Sequence, residues 1–255
     1  MVSAPASGLH IGQGGDRLTL TLSRPQQANA LGPALVEALI DVLETVQDVR
    51  LCVLRGEGRH FCAGFDLSDL AALSDGDLLW RFLRIEHLLQ LVHHAPFPIV
   101  AMAQGQVVGA GADLFAASWR RVAAPGAKFR MPGWNFELAL GTRRLTRLVG
   151  RDAARDLLID TKVMSAEEAA ACGLASEIAE PDDWPGLIEA SFRRASALTP
   201  RALRDMLDLT AADTRQADIA AIVATAARPG LKDRIMAYRE RTMAAMAQRK
   251  ASAAG

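Results

Sequence analysis

The sequence predicts an α/β core followed by an all-helical C-terminal region, and three observations carry that prediction. Apolar residues recur at every second position over residues 17–23 and then at helical spacing over 33–46, so a half-buried strand leads into an amphipathic helix. Short apolar runs at 51–54 and 99–103 repeat the alternation, and strands joined by helices in this order run parallel. Beyond residue 182 only helical patterns remain, which divides the chain into 1–182 and 183–255.

Each element has its own justification. Leu18, Leu20 and Leu22 share one face of the first strand, and Pro33 sits where the first turn of a helix tolerates proline. Leu35, Leu39, Val42, Leu43 and Val46 then form that helix's apolar stripe. Glycines and charges at 56–60 make the turn after the second strand, and a helix over 79–92 ends before Pro96 and Pro98. The buried strand 99–103 runs into a loop at 104–108, and a helix begins at Gly109. Residues 184–198, 200–210, 215–226 and 230–247 read as four helices, and the alanine-rich 249–255 as a frayed tail.

Composition excludes several classes of function. A chain of 255 residues, half of them hydrophobic, buries a sizeable core and is not disordered. Lys plus Arg number 29 and Asp plus Glu number 29, so the basic excess a dedicated nucleic-acid binder needs is missing, although a local patch can still hold one small phosphorylated ligand. Cys52, Cys62 and Cys172 show no C-x-x-C spacing, and the five histidines show no metal-ligand spacing. The expectation is a protein of a reducing compartment, the cytoplasm, without a disulfide framework or metal site. No apolar run approaches the roughly 18 residues of a membrane span, and residues 1–15 lack the pattern of a signal peptide.

Two loops, each after a short apolar strand, are candidates to carry chemistry. One is His60-Phe61-Cys62-Ala63-Gly64-Phe65-Asp66-Leu67, and the other runs from Gly105 through Gly109-Ala110-Gly111-Ala112-Asp113. Small residues let both backbones approach a ligand closely, and a helix follows each. Two N–H groups converging from separate strand ends can cradle a carbonyl oxygen that gains negative charge, a device worth on the order of 10²–10³ in rate per donor. Taken singly, glycines at such junctions ordinarily serve only the turn.

Taken together the motifs are more specific. The strand and turn at 18–25 ending in Arg24-Pro25, then Asn29-Ala30-Leu31, both loops, Ala127-Lys128-Phe129, the stretch 141–150 opening Gly141-Thr142-Arg143-Arg144-Leu145, and Ser165-Ala166-Glu167-Glu168-Ala169 before Gly173-Leu174 resemble the enoyl-CoA hydratase/isomerase (crotonase) superfamily, in order and over nearly the whole chain. The resemblance implies a spiral of ββα units, a C-terminal helical region used in trimerisation (a homotrimer, or a hexamer as a dimer of trimers), and an acyl-CoA thioester as ligand. No cofactor is implied beyond the CoA of the substrate. By motif position the thioester oxygen would meet the N–H groups of Phe65 and Ala110, with Ala63 and Gly109 flanking them. Asp66 and Leu67 would belong to the CoA-binding loop, and Arg24 would meet the CoA phosphates. A thioester so polarised has an acidic α-carbon, which opens hydration, double-bond migration and decarboxylation.

The family pattern is not intact. Its hydratases use two glutamates: the first falls at Asp113, one methylene shorter, and the second at Gly133, which transfers no proton. An acid in the first helical turn is also favoured by the helix dipole without any catalysis. Glu137, in a loop about three residues shorter than the family's by motif spacing, is a candidate substitute acid or base, with a solvated loop glutamate as the alternative. Trp134 is a candidate wall of the acyl pocket, or plain packing. Cys62 has only His60 nearby to activate it, and a buried inert thiol is the simpler reading.

Three functions follow. The first is an enzyme that hydrates or isomerises an enoyl-CoA with Asp113 handling the proton. The second is an acyl-CoA-binding protein that has lost its catalytic pair, or a decarboxylase. The third is a nicotinamide or flavin enzyme, since Gly109-Ala110-Gly111 follows a strand; against it, Leu114 stands where that fingerprint ends in Gly or Ala, and no acid lies about 20 residues beyond Gly111.

Overall fold

The computed structural model describes residues 2–4 and 7–253. In chain order its elements are β1 (Val2–Ala4), β2 (Leu9–Gly14), β3 (Arg17–Leu22), α1 (Pro33–Thr45), β4 (Leu51–Gly56), α2 (Asp75–His93), β5 (Ile99–Ala103), β6 (Gln106–Val108), α3 (Ala110–Ala117), β7 (Arg120–Ala123) and β8 (Lys128–Arg130). There follow α4 (Thr142–Val149), α5 (Arg151–Asp160), β9 (Met164–Ser165), α6 (Ala166–Ala171), β10 (Glu177–Ile178), α7 (Trp184–Ser196), α8 (Pro200–Thr210), α9 (Arg215–Ala226) and α10 (Leu231–Ala253). A seven-stranded sheet takes the order β1-β2-β3-β4-β5-β7-β10, and a second sheet the order β6-β8-β9. From β3 onward the large sheet is parallel, each pair bridged by a crossover that returns the chain to the same end of the sheet. This is the expected α/β core, and the two sheets turn successive units into a spiral.

The core lies between the large sheet and the helices that cross it. Leu18, Leu20 and Leu22 of β3 are buried, and Leu35, Val36, Leu39 and Ile40 of α1 pack into the same cluster. Six residues of β4 and five of β5 are buried almost throughout, as befits strands covered on both faces. A separate apolar cluster joins Leu70, Leu78, Phe82 and Leu138 to Ile222, Ala226, Leu231 and Ile235, so α9 and α10 fold back onto the α/β core.

Several sequence expectations need correction. α2 starts at Asp75 and not at 79, because Ser74 and Asp77 form a reciprocal capping box. Residues 106–108 are a strand and not a loop, paired to β8 through Val107 and Phe129. The small, polar start of the chain supplies β1 and β2, and β2 pairs with β1 on one side and β3 on the other. Helix α10 runs through Ala253, beyond the expected onset of fraying at 249; residues 254 and 255 lie outside the described residues.

Candidate functional site

The chain builds its site by clamping the first loop against β6. Cys62 N–H donates to the Gln106 carbonyl at 3.2 Å, and Val108 N–H donates to the Cys62 carbonyl at 3.0 Å. On its other side Ala63 N–H donates to Ala28 O at 2.9 Å, and Leu31 N–H to Gly64 O at 2.7 Å. Gly64, at φ +88°, makes this approach possible: a β-carbon there would stand 2.5 Å from Val108 O and 3.2 Å from Ala110 N. The backbone of residue 64 therefore lies directly beside the first turn of α3. Among the described residues neither Phe65 N–H nor Ala110 N–H donates to a protein acceptor. For Ala110 this follows from its place as the first residue of α3, where an N–H has no intrahelical partner.

Asn29 holds the turn that aims the first loop. Fully buried at φ 55°, it donates through Nδ2 to the carbonyls of Glu57 and His60 at 2.9 and 2.7 Å, and its Oδ1 accepts from Arg24 N–H at 2.8 Å. Arg24 itself donates to Ala30 O at 2.7 Å and pairs with Asp66 at 2.8 Å. Burial alone would push the Asp66 carboxyl up, but the Ser68 N–H and the Arg24 guanidinium outweigh it and hold it below its usual value. Cys62 is fully buried, and burial pushes its thiol up to about 12 although Gly64 N–H opposes the rise. His60 accepts at Nδ1 from Gln106 N–H, and burial and Arg59 lower its affinity for a proton. Neither group is poised as a nucleophile or its base.

A cavity of about 420 Å³ opens where the two loops meet. Ala63, Phe65 and Leu67 line it from the first loop, and Gly109, Ala110 and Asp113 from the second. Gly133 and Trp134 line it too, and so do Ile235, Tyr238 and Thr242 of α10. Trp134 donates through Nε1 to Thr142 Oγ1 at 3.2 Å, so it is both wall and anchor. Eight of the residues singled out from sequence therefore share one cavity, Gly133 among them.

Arg24, Asp66 and Glu137 are not on its wall. The Glu137 carboxylate, more than half exposed, lies 3.4 Å from Arg228 and 3.9 Å from Arg234, an ion-pair cluster outside the cavity. The expectation that Glu137 swings in as a second acid or base thus meets two arginines that hold it elsewhere.

Asp113 is the one carboxylate on the cavity wall among the described residues. Its side chain is 7% exposed, and its carboxylate abuts Gly141, where a β-carbon would collide with it. Burial pushes this carboxyl up to about 8; the Arg144 charge opposes the rise and Glu86 adds to it. Behind it lies a network that the sequence reading missed. Arg144 donates to Glu86 at 2.9 and 2.5 Å and to Asp218 Oδ2 at 3.3 Å, and all three are buried. The signal was present in α2, where Glu86 interrupts the apolar face made by Phe82, Ile85 and Leu89: a buried acid there demands a buried cation.

The chain is similar to known proteins over most of its length. The Enoyl-CoA hydratase/isomerase family profile matches residues 17–247. A Mycobacterium tuberculosis protein provisionally named enoyl-CoA hydratase echA6 is 35% identical over 196 residues, covering 74% of this chain and 79% of its own. A Bacillus subtilis protein provisionally named enoyl-CoA hydratase/isomerase YngF is 31% identical over 192 residues, 72% and 74% of the two chains. A crystal structure from Bordetella parapertussis, provisionally named enoyl-CoA hydratase/isomerase, superposes with a TM-score of 0.89 at 44% identity over 91% of this chain and 98% of its own.

Proposed function

As the chain belongs to the enoyl-CoA hydratase/isomerase family, we propose that it moves a double bond in an acyl-CoA thioester, with Phe65 and Ala110 N–H as oxyanion donors and Asp113 as the group that carries the proton. One observation carries this reading: among the described residues, two unpartnered amides from separate loops and a single buried carboxyl share one cavity. The Asp113 carboxylate takes a proton from the α-carbon of a 3-enoyl thioester. The freed electron pair spreads onto the thioester oxygen, where the two N–H groups bind the developing charge. Asp113 then delivers a proton to C4, and the double bond ends conjugated to the carbonyl. One carboxyl suffices, because the group that takes a proton at C2 is the one that gives a proton at C4, and the proton it holds between the two transfers exchanges with solvent.

Hydration asks for more, since water must be held and deprotonated on one side while a proton is delivered on the other. Gly133 offers neither, and Glu137 is engaged by Arg228 and Arg234. Isomerisation is therefore preferred to hydration, and both are preferred to a protein that only binds the thioester. Incubation with a panel of acyl-CoAs in heavy water, read by mass spectrometry, separates them. Deuterium on carbon without added water mass supports isomerisation, added water mass supports hydration, and tight binding without exchange refutes an enzyme.

The chain is proposed to act as a homotrimer or a dimer of trimers, built through its C-terminal helices. Exposed Leu209, Met206, Ile219 and Val223 on α8 and α9 support that reading. Three unbridged thiols are in keeping with a cytoplasmic location. Among the described residues no helix is long and apolar enough to cross a membrane.

A further inference from the structure

We infer that Arg130 selects acyl groups that carry a carboxylate at the end remote from the thioester. The inference rests on the thioester reading above and names its substrate class. Arg130 closes β8 next to the site: Gly109 N–H donates to the Arg130 carbonyl at 2.8 Å, and Val108 pairs with Arg130 across the strands. Its side chain is half-buried and lines the cavity that holds Asp113, where it is the one cation among the described residues. The cavity wall is largely apolar, with Trp134, Leu158 and Val163 on it, and also carries Gln106, Tyr238 and Thr242.

The guanidinium makes one protein hydrogen bond, from Nε to Thr161 O at 3.1 Å, so both terminal nitrogens are left without a protein partner among the described residues. An arginine fork on a largely apolar cavity wall, with its Nε already fixed, presents the planar donor pair that a carboxylate accepts with two oxygens.

A second cavity, of about 690 Å³, adjoins the first and shares Arg130, Val163, Tyr238 and Thr242 with it. It adds Lys162 and Arg241 against Asp160 alone, although Lys162 leans toward Glu168 at 3.9 Å. None of residues 63–67, which flank the proposed thioester oxygen, reaches this basin. Arg130 therefore stands where the first cavity opens into the second, which residues 63–67 do not line; the tail of the acyl group would end there, with further positive charge beyond it.

The test uses pairs of saturated CoA thioesters of equal chain length, one ending in a methyl and the other in a carboxylate, bound to the full chain in a calorimeter. Matched enoyl esters supply kcat/KM. The wild-type protein should bind the carboxylate-ended ester more tightly, and Arg130→Gln should shrink that preference by roughly 10- to 100-fold. Arg130→Lys, which keeps the charge and loses the fork, should retain part of it. Equal binding of the two esters by the wild type, or a preference for the methyl end, overturns the inference whether or not the variants fold. So does an equal loss for both esters in Arg130→Gln, which would place the guanidinium on the CoA phosphates. The saturated esters need no turnover, so a protein that discriminates between them yet exchanges no proton refutes the isomerase reading and supports this one.

Discussion

Replacing Asp113 with asparagine should stabilise the fold, by an amount that grows with pH. The side chain is 7% exposed, and burial holds its carboxyl at about 8 against an ordinary 3.8. Below pH 3.8 the group is protonated in both the folded and the unfolded chain and contributes nothing to their difference. Above it, the unfolded chain releases the proton while the folded one keeps it. Each pH unit then costs the wild type about 1.4 kcal/mol, until the folded carboxyl also ionises near pH 8. An asparagine of the same shape has no such cost. Between about pH 5 and pH 8 the variant should therefore gain about 4 kcal/mol on the wild type, less whatever the Arg144 side chain recovers by relaxing toward the new charge. Urea titrations of both proteins across that range give the gap directly, because the other titrating groups are common to both. A gap that stays constant would mean that Asp113 ionises normally and would remove the physical basis for its role.

Four further outcomes follow from the same geometry. If the ionised Asp113 is the base, kcat/KM for α-proton exchange should climb with pH and level off near 8, and a flat profile contradicts that assignment. Arg144→Met leaves Glu86 buried without its partner and should cost about 3–5 kcal/mol in urea unfolding; where the variant folds, its exchange profile should move to higher pH. Gly64→Ala puts a β-carbon 2.5 Å from Val108 O at φ +88°, and the displaced amides should cut exchange by about 10²-fold or more with the circular dichroism spectrum retained. Glu137→Gln should leave exchange unchanged and shift stability by less than about 1 kcal/mol, since its ion pairs are exposed.

What the sequence revealed depended on how much period each element carried. β3 and α1 each span enough residues, with one face buried and the other wet, for a period of two and then 3.6 to stand out. α3 has all eight residues buried, so it has no wet face, and its start was legible only from the glycines before it. β6 and β8 have three residues each, less than two full alternations, and their pairing is decided by tertiary contacts. The second sheet was therefore illegible, although it sets Gly109 and Arg130 side by side.

The same distinction holds within the site. The two loops were visible because their chemistry is local: small residues at a strand end, then a helix. Asp113 was visible as a residue, but its environment was not, because Glu86, Arg144 and Asp218 come from three separate helices. Glu137 stood near Gly133 in sequence and so invited a catalytic role. The left-handed turn at φ 59° and the two arginines that direct it away from the cavity arise only on folding. Arg130 lay in plain view between Phe129 and Met131, yet a strand of three residues gave no reason to place its side chain in the cavity.

The grip of Phe65 and Ala110 on the thioester can be read from the carbonyl itself. A CoA thioester labelled with carbon-13 at C1 and bound to the protein gives an isotope-edited infrared difference spectrum. Two fixed hydrogen bonds from backbone amides should move the bound carbonyl stretch to lower frequency than that of the free ester in water, and Gly64→Ala should reverse the shift. A bound ester whose carbonyl absorbs at the same frequency as the free one would contradict the account.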